Sequence, residues 1–541
     1  MSRARDPFTW IALGFALACA VGATWDVPCT DSWSNDEVSP RASMLGAVFE
    51  TWTPGHFFRY PPLHVLGLTV LQSPLILVGV ARAGFDRAAI EAELIHPGYM
   101  TIAAILGRLV SFAMALGVIA NLRRLFARLG GERVGLFAAA ATALNAIFVY
   151  FAHVASVDVP YLFWTTLALV ELDRVAAGES RERRAAIFVA CALLTKDQSA
   201  MLLAGPIALL LFARRPVLRK EILRAAGLAI AVYALGSGMV TNPTGFRKKL
   251  AFMTGGGNAD WVVYERSVSG VLAQLADIGR AVPLFTSRVV AVIALAGVAL
   301  AVTGADRRDR TERMRRIAPA LAAVSYLVLF VVPSRWVMER HLMPLSLFVV
   351  PYAGFVLEAL ARRSSRAALA LAALLLAPQV VDVASIDATL LVDPKLQVEA
   401  RLATLSPGTK VAVLGGNQYL PRLPPSLDLV RVGTEPLDQR STLPGVREVV
   451  APYSSVDDEA PEYVVVSETF ASGYLPREGP LSGQQKKLLA DADATAFFQG
   501  LVAGTGRYGW DERASCTLPW PLQCRRVHGS TGAEAWLFRR R

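Results

Sequence analysis

Charged residues are scarce in this sequence. Of its 541 residues only 18% are Asp, Glu, Lys or Arg, whereas soluble domains carry about 25%. Hydrophobic residues make up 54% of the chain, and the mean hydropathy is +0.41. Apolar runs recur at the length that a helix needs to cross a bilayer. The shortage of charge therefore excludes an ordinary soluble enzyme and indicates a polytopic membrane protein.

Cysteine is also scarce, and its spacing excludes a zinc site of the cysteine–histidine type. Cys19 and Cys191 lie in apolar runs, which favours simple packed thiols. Cys516 and Cys524 lie close together in the polar stretch CTLPWPLQC, so a disulfide is expected there if this part of the chain is extracytoplasmic. Cys29 then has no partner among the cysteines.

Nucleotide-binding motifs and internal repeats are absent from the sequence. The glycine run 254–258 lacks the spacing of a phosphate-binding loop, and GGN at 415–417 is not a dinucleotide fingerprint. The run 254–258 is compatible with either a mobile lid or a plain flexible loop. The lack of a repeat gives no support to a transporter built from inverted halves.

The basic residues form short clusters between the apolar runs. The net charge is +11, but this distribution is the pattern that sets orientation in a membrane, so nucleic acid is not expected as a partner. If the clusters face the cytoplasm, the amino terminus is inside and the carboxyl terminus is outside. The clusters are 123–133, 181–184, 214–220, 307–316 and 362–366.

These clusters predict about eleven transmembrane helices, the first of them an uncleaved helix from Pro7 to about Thr24. The run 61–81 is the exception, because a full crossing there would place the cluster 123–133 outside. We therefore interpret 61–81 as a juxtamembrane or re-entrant helix within a first outer loop, 26–98. A second outer loop is predicted at 241–282.

After about residue 384 the chain changes character, since proline, glycine and charge increase and short β-rich runs appear. We predict a transmembrane domain at 1–383 and a small extracytoplasmic α/β or α+β domain with a mixed sheet at 384–541. The predicted strands are 410–415, 428–432, 462–467 and 534–538.

Ionisable residues collect on the predicted outer face, most densely between Asp31 and His64. Such residues beside a bilayer are costly, which favours a site over a solvated surface loop. A transferase with a lipid-borne donor needs both acidic and basic side chains in its site. A carboxylate deprotonates the incoming hydroxyl, while Arg and Lys bind the phosphate of the leaving group.

Five short elements of the sequence resemble, in order, the GT-C glycosyltransferases of family 39 and its relatives, the protein O-mannosyltransferase and aminoarabinose-transferase type. The likeness covers roughly residues 5–380. Two positions depart from the family, since Tyr60 stands where many members have Lys and His341 replaces the usual Tyr. The five elements are Asp36-Glu37, the YPPLH segment 60–64, Asp158-Val159-Pro160, Thr195-Lys196 and the ERHLMP segment 339–344.

The resemblance implies roles for these residues. Asp36 is the expected catalytic base with Glu37 in support, and Asp158 would position the acceptor or a metal ion. Each acidic residue has a structural alternative as a helix-terminal cap, and each basic residue could instead reach the lipid headgroups. The expected substrate-binding residues are Arg59, in place of the family lysine, Tyr60, His64, Lys196, Arg340 and His341.

The leading interpretation is thus an inverting glycosyltransferase of the bacterial inner membrane, working on the extracytoplasmic side. It would move a sugar from a polyprenyl-phosphate donor to a hydroxyl of a protein, lipid or glycan acceptor. No cofactor is firmly expected, although the carboxylates could hold a divalent metal. The alternatives are a transporter or flippase of lipid-linked sugars, and a membrane-anchored receptor whose soluble domain is the working part.

Overall fold

The computed structural model of the chain describes most of it in ten segments. Asp36, Arg59 and Cys29 lie outside the described residues, as does the glycine run 254–258, so their predicted roles stay predictions. The described segments are 6–28, 31–34, 37–38, 49–58, 60–213, 219–253, 259–304, 309–441, 443–527 and 529–541.

The larger part of the molecule is helical. Several helix starts have a local cause. In the first helix, for example, the Asp6 carboxylate accepts a hydrogen bond from the Phe8 amide, and Pro7 occupies the first turn. The helices up to the second outer loop are α1 (Pro7–Ala20), α2 (Leu63–Arg82), α3 (Arg87–Leu94), α4 (Pro97–Gly130), α5 (Glu132–Ala143), α6 (Ala146–His153), α7 (Asp158–Ala176), α8 (Glu182–Thr195), α9 (Ser199–Ala213), α10 (Arg219–Gly236) and α11 (Pro243–Ala251).

The remaining helices of this part lead from the second outer loop to the soluble domain. They are α12 (Val268–Ala281), α13 (Arg288–Thr303), α14 (Arg310–Tyr326), α15 (Glu339–Val349), α16 (Ala353–Ala361), α17 (Ser365–Leu391) and α18 (Pro394–Leu402).

Within the described residues, five helices are long and apolar enough to cross a membrane, or up to seven if each of two bent pairs is one span. This confirms a polytopic helical membrane protein. The prediction of about eleven spans also counted shorter apolar helices such as α1 and α9. Helix α2 has the length and hydropathy of a full span, so its predicted re-entrant course depends on the arginine pattern alone. The bent pairs are α5 with α6, at 61°, and α12 through Leu284 with α13, at 109°.

The helical core is built from large aromatic side chains and close backbone contacts. Phe126, Phe148 and Tyr352 are fully buried in one continuous hydrophobic cluster. The apolar stretch that forms α5 and α6 is divided at Asn145, whose side chain accepts a hydrogen bond from the Phe148 amide and begins α6. This break turns α6 toward the first outer loop.

The carboxyl-terminal domain contains one six-stranded mixed sheet, which confirms the predicted architecture. Its order is β3-β2-β1-β4-β6-β5. The first four strands in that order run parallel, and β6 pairs antiparallel with both β4 and β5. The strands are β1 (Lys410–Leu414), β2 (Asp428–Gly433), β3 (Arg447–Val450), β4 (Tyr463–Ser467), β5 (Tyr508–Ala514) and β6 (Ala535–Arg540), with α19 (Gly483–Ala490) and α20 (Ala492–Ala503) beside them.

The soluble domain is joined firmly to the membrane domain. Helix α17 continues to Leu391, past the boundary expected at 383, and α18 follows it directly. The Lys395 ammonium lies 4.7 Å from the centre of the Trp33 ring, and the Trp25 indole donates to Asp393. The predicted disulfide between Cys516 and Cys524 is present in the domain.

The two outer loops pack against each other through Asn242. Its side-chain amide donates to the His56 carbonyl at 2.8 Å, and its carbonyl oxygen accepts from the amides of Gly55 and Gly245. A Cβ at Gly245 would lie 2.0 Å from the His56 carbonyl oxygen, so only glycine fits that approach. Segment 49–58 is thereby held beside α11, at the edge of the candidate site.

Candidate functional site

Three consecutive polar residues lie at the break between α8 and α9, and the side chain of each contacts a different partner. The Lys196 ammonium donates to the Asp158 carboxylate at 2.6 Å. Asp197 accepts from Lys249 at 3.1 Å, and Gln198 accepts from the Tyr326 hydroxyl at 3.3 Å. The break between α8 and α9 is therefore a junction where separate helices meet.

Asp158 begins α7 and is fully buried. One of its carboxylate oxygens accepts from Lys196, while the other has no hydrogen-bond partner among the described residues. A buried charge paired on one side only retains capacity to bind a further donor. In the described part of the chain, the helix that Asp158 begins has no side-chain cap hydrogen bond, and the expected role of Asp158 in positioning the acceptor or a metal ion stays a prediction.

Arg340 lies close to the same pair. The charge of Arg340 acts on the hydroxyls of Tyr161 and Tyr326. The charge of Asp158 acts on the same two hydroxyls. The Lys196 ammonium lies 5.1 Å from the centre of the Tyr161 ring. Lys196 and Asp158 are therefore paired, and Arg340 lies in their neighbourhood at the start of α15. The roles expected for the three residues stay predictions.

The two histidines are buried, and their surroundings are mainly apolar. His341 lies edge-on between Phe330 and Trp336, with ring centres 5.0 and 5.3 Å away. His64 is buried in the first turn of α2, and its Nε2 has no hydrogen-bond partner among the described residues. Tyr60, just before the double proline, is half-buried. These three residues stay predicted substrate-binding positions.

The Glu37 side chain is fully buried, and both of its carboxylate oxygens accept hydrogen bonds. It accepts two hydrogen bonds from Arg108, at 3.0 and 3.2 Å, one from the Ala155 amide at 2.7 Å, and one from the Ser32 hydroxyl. These four donors occupy both oxygens of the Glu37 carboxylate. The bond from the Ala155 amide ties Glu37, the residue after Asp36, to the loop that leads into Asp158. The expected supporting role of Glu37 stays a prediction.

Arg108 completes this anchor from the interior of α4. Besides Glu37 it contacts Asp26 at 2.9 Å and donates to the Trp25 carbonyl at 2.8 Å. Burial raises the pKa of the Asp26 carboxyl, while the guanidinium of Arg108 acts in the opposite direction. The backbone of Asp26 has a φ of 63°, a left-handed conformation that Asp tolerates better than most residues.

Lys249 forms a second buried ion pair beside the first. Its ammonium contacts Asp197 and lies 5.3 Å from the centre of the Phe58 ring. Burial lowers the pKa of Lys249 and raises that of Asp197, and in each case the partner's charge opposes the shift. This pair ties α11 to the α8–α9 junction.

Sequence reasoning missed both Arg108 and Lys249. A single arginine within the apolar run 100–120 was a usable signal, because an intramembrane charge is rare without a partner or a function. Lys249 gave no such signal, since it stands in the basic stretch FRKK, where an exposed lysine is equally expected. Charges within the spans, which the sequence analysis did not find, are therefore present.

Within the described ranges no group of three or more His, Cys, Asp or Glu side chains is arranged to hold a metal ion. Asp36 lies outside those ranges, so its expected alternative role as a metal ligand stays a prediction. Asp158 has one carboxylate oxygen to offer, and its neighbour is a cation. The site as described thus presents charge-assisted donors to a ligand.

Comparison with known proteins found no matching family model and no matching curated protein. Among solved structures, the chain is similar to ArnT from Cupriavidus metallidurans. The apo form has a TM-score of 0.47 at 16% identity, covering 85% of this chain and 93% of that one. The form bound to undecaprenyl phosphate has a TM-score of 0.46 at 15% identity, covering 98% of both.

The archaeal oligosaccharyltransferase AglB from Archaeoglobus fulgidus, in complex with an inhibitory peptide and a dolichol-phosphate, is also similar. Its TM-score is 0.40 at 13% identity, covering 75% of this chain and 62% of that chain. Because every TM-score is below 0.5, the function proposed next rests on the geometry of the site.

Proposed function

We propose that the protein is an inverting glycosyltransferase of the bacterial inner membrane. It transfers one sugar from a polyprenyl-phosphate donor to an acceptor hydroxyl on the extracytoplasmic side. The observation that carries this proposal is the convergence of Asp158, Lys196 and Arg340 beside the segment that follows Asp36. The two cations, Lys196 and Arg340, are suited to bind a phosphate group.

The reaction needs a base and a stabilised leaving group. Asp36 takes the proton of the acceptor hydroxyl, and that oxygen bonds to the anomeric carbon from the face opposite the phosphate. The bond between the anomeric carbon and the phosphate oxygen breaks, and its electron pair stays on the phosphate. Lys196 and Arg340 stabilise the charge that grows there. The configuration at the anomeric carbon is inverted.

Asp158 acts through Lys196 in this scheme. It holds the ammonium by one carboxylate oxygen in a buried site, which fixes the lysine before the donor arrives. Preorganised charge of this kind costs no reorientation during the reaction. Glu37 and Arg108 serve Asp36 in a similar way, because they anchor the chain next to it.

The contrast between two kinds of variant tests the proposal. Asp36→Asn should lower turnover by about two to four orders of magnitude, the usual contribution of a positioned base, and leave donor binding intact. Lys196→Ala and Arg340→Ala should weaken both donor affinity and rate, since each removes a charge-assisted contact. Near-normal turnover in Asp36→Asn would remove Asp36 as the base.

A transporter of lipid-linked sugars is the second candidate, and the buried charges within the spans agree with it. It fits the site less well, because a transporter must release its substrate unchanged and has no need of a base. Purified protein that moves the lipid-linked sugar across a vesicle membrane without releasing polyprenyl phosphate would favour the transporter.

A further inference from the structure

The sheet of the soluble domain has a topological switch point that the proposed reaction does not use. From β1 the chain proceeds to β2 and β3 on one side, and then returns to place β4 on the other side of β1. In open α/β sheets, ligands bind in the crevice outside the carboxyl ends of the strands at such a point. A cavity of about 670 Å³ lies at this place.

The walls of the cavity come from the carboxyl ends of three parallel strands. Gly415 and Gly416 follow β1, Glu435 follows β2, and Thr469 and Phe470 follow β4. Gly415 has a φ of 110°, and a Cβ there would lie 2.9 Å from the Phe470 ring. The glycine thus lets the chain turn out of β1 closely past that ring.

The remaining wall belongs to the membrane domain. Asp31 and Ser32 of the first outer loop line the cavity, together with Trp261 and Met338. The Asn417 amide donates to Asp31 at 3.2 Å. The Ser32 hydroxyl donates to Glu37, so the cavity and the candidate catalytic segment share one short stretch of chain.

Four aromatic residues, Tyr419, Tyr453, Phe470 and Tyr474, line one part of the cavity. Phe470 lies 5.9 Å from Tyr419, 6.2 Å from Tyr453 and 5.7 Å from Tyr474, between ring centres. Burial raises the pKa of Tyr453 and Tyr474 above the ordinary tyrosine value. Both rings therefore face a ligand as neutral phenols.

Several polar side chains in the cavity are not engaged by the protein. Gln418, Gln484 and Arg477 line the cavity and make no side-chain hydrogen bond within the part of the chain that is described. Arg431 and Arg440, in contrast, are both paired with Glu448 on the cavity wall. The cavity thus offers amides and one unpaired guanidinium instead of a concentrated positive charge.

These features argue against a nucleotide. A dinucleotide or other polyphosphate would need the amino terminus of a helix after β1, but only the single 3-10 turn Asn417–Tyr419 follows the glycines. Stacking rings beside uncommitted amides suit a ligand with an apolar face and many hydroxyls. A sugar ring has both.

We infer that this cavity is a saccharide-binding site and that it holds the carbohydrate part of the acceptor. The inference that a saccharide binds here depends only on the properties of the cavity. The assignment of the bound saccharide as acceptor rests on the proposed transferase function, because it depends on the short path through Ser32 and Glu37 to the catalytic segment. The acceptor class is accordingly a glycan or a glycolipid.

Binding is tested with the full chain in lipid nanodiscs free of sugar-based detergent, on an array of neutral and acidic oligosaccharides. The wild-type protein should bind a subset of the oligosaccharides above empty nanodiscs. The double variant Gln418→Ala/Gln484→Ala should bind them at least tenfold more weakly, and Arg477→Ala should also weaken binding. Gln499→Ala, an exposed glutamine of α20 outside the cavity, is the matched control and should bind normally.

Donor turnover, measured on the same preparations without any oligosaccharide, separates the two claims. If the protein releases polyprenyl phosphate but binds no oligosaccharide on the array, the saccharide site is overturned and the transferase function is retained. Binding that depends on Gln418 and Gln484, without donor turnover, would support the site and remove its role as acceptor site. Binding unchanged in the double variant would place the saccharide elsewhere and overturn the inference.

Discussion

The buried pair of Asp158 and Lys196 gives the sharpest prediction about the membrane domain. Their side chains are only 1% and 8% exposed, and the atoms in contact are 2.6 Å apart. Removing one member of a buried ion pair leaves an uncompensated charge and costs about 3–5 kcal/mol. Lys196→Met should therefore lower the free energy of unfolding by about that amount, and Asp158→Asn by somewhat less, because the freed lysine is the more exposed partner.

The double variant Asp158→Asn/Lys196→Met should recover most of that loss. With both charges gone, no uncompensated ion remains, and neutral replacement of a buried pair is often close to neutral in stability. The coupling between the two sites should thus be favourable and larger than about 1 kcal/mol. Glycosyl transfer should nevertheless stay abolished in all three variants, because the donor phosphate has lost its lysine or the carboxylate that orients it.

The assay is a double-mutant cycle on purified protein in nanodiscs. Unfolding is followed by the reactivity of the free thiol Cys19, which is buried in the folded state, and turnover is measured in parallel. Strictly additive losses in stability would show that the two residues do not act as a pair. Recovery of turnover along with stability in the double variant would show that the pair is purely structural.

Three further predictions concern other parts of the molecule. Lys249→Ala should lower both stability and turnover, because it leaves the Asp197 carboxylate without its ion-pair partner. Lys248→Ala should be tolerated, because Lys248 is exposed. Equal effects of the two substitutions would contradict a structural role for the Lys249–Asp197 pair. Replacing both Cys516 and Cys524 by Ser should destabilise the soluble domain by about 2–3 kcal/mol, as closure of a short loop implies, measured as thermal unfolding with and without the substitution. Hydrogen bonds from Arg447 and Lys410 lower the pKa of Glu459 to about 2. The contribution of Glu459 to stability is therefore present at neutral pH and is lost as the pH falls from about 4.5 toward 2. The difference in melting temperature between the wild type and Glu459→Gln should shrink over that range.

Much of the soluble sheet was predictable from the sequence, and the strands that were missed have a physical reason. β1, β2, β4 and β6 contain runs of β-branched or aromatic residues, which are typical of buried strands. β3 and β5 are the two edges of the sheet. Their sequences REVV and YGWDERA carry the charges that protect an edge from further pairing, and those same charges hide them from a search for apolar strands.

The resemblance selected Asp158, Lys196 and Arg340 as candidate residues, and their roles stay predictions. The pairing of Lys196 with Asp158 is visible only in the structure. No periodicity in the sequence could show that Glu37 is paired with Arg108, since that contact joins the first outer loop to the middle of α4. Contacts between distant elements depend on the packing of the whole bundle, which local patterns do not encode.

The cavity at the switch point illustrates the same limit. GGN at 415–417 lacks the spacing of a dinucleotide fingerprint, yet it lines the cavity of about 670 Å³ at the switch point. Its importance comes from the strand order, which depends on how β4 returns beside β1. Strand order was not predictable from the sequence.

The most direct measurement is the release of polyprenyl phosphate by the purified protein from a panel of polyprenyl-phosphate sugars. With acceptor glycan present, wild-type protein should release the lipid phosphate from at least one donor, with the sugar recovered on the acceptor in inverted configuration. Asp36→Asn should reduce that release by about two to four orders of magnitude while it still binds the donor. Donor binding without release of polyprenyl phosphate from any member of the panel would contradict glycosyl transfer as the function of this protein.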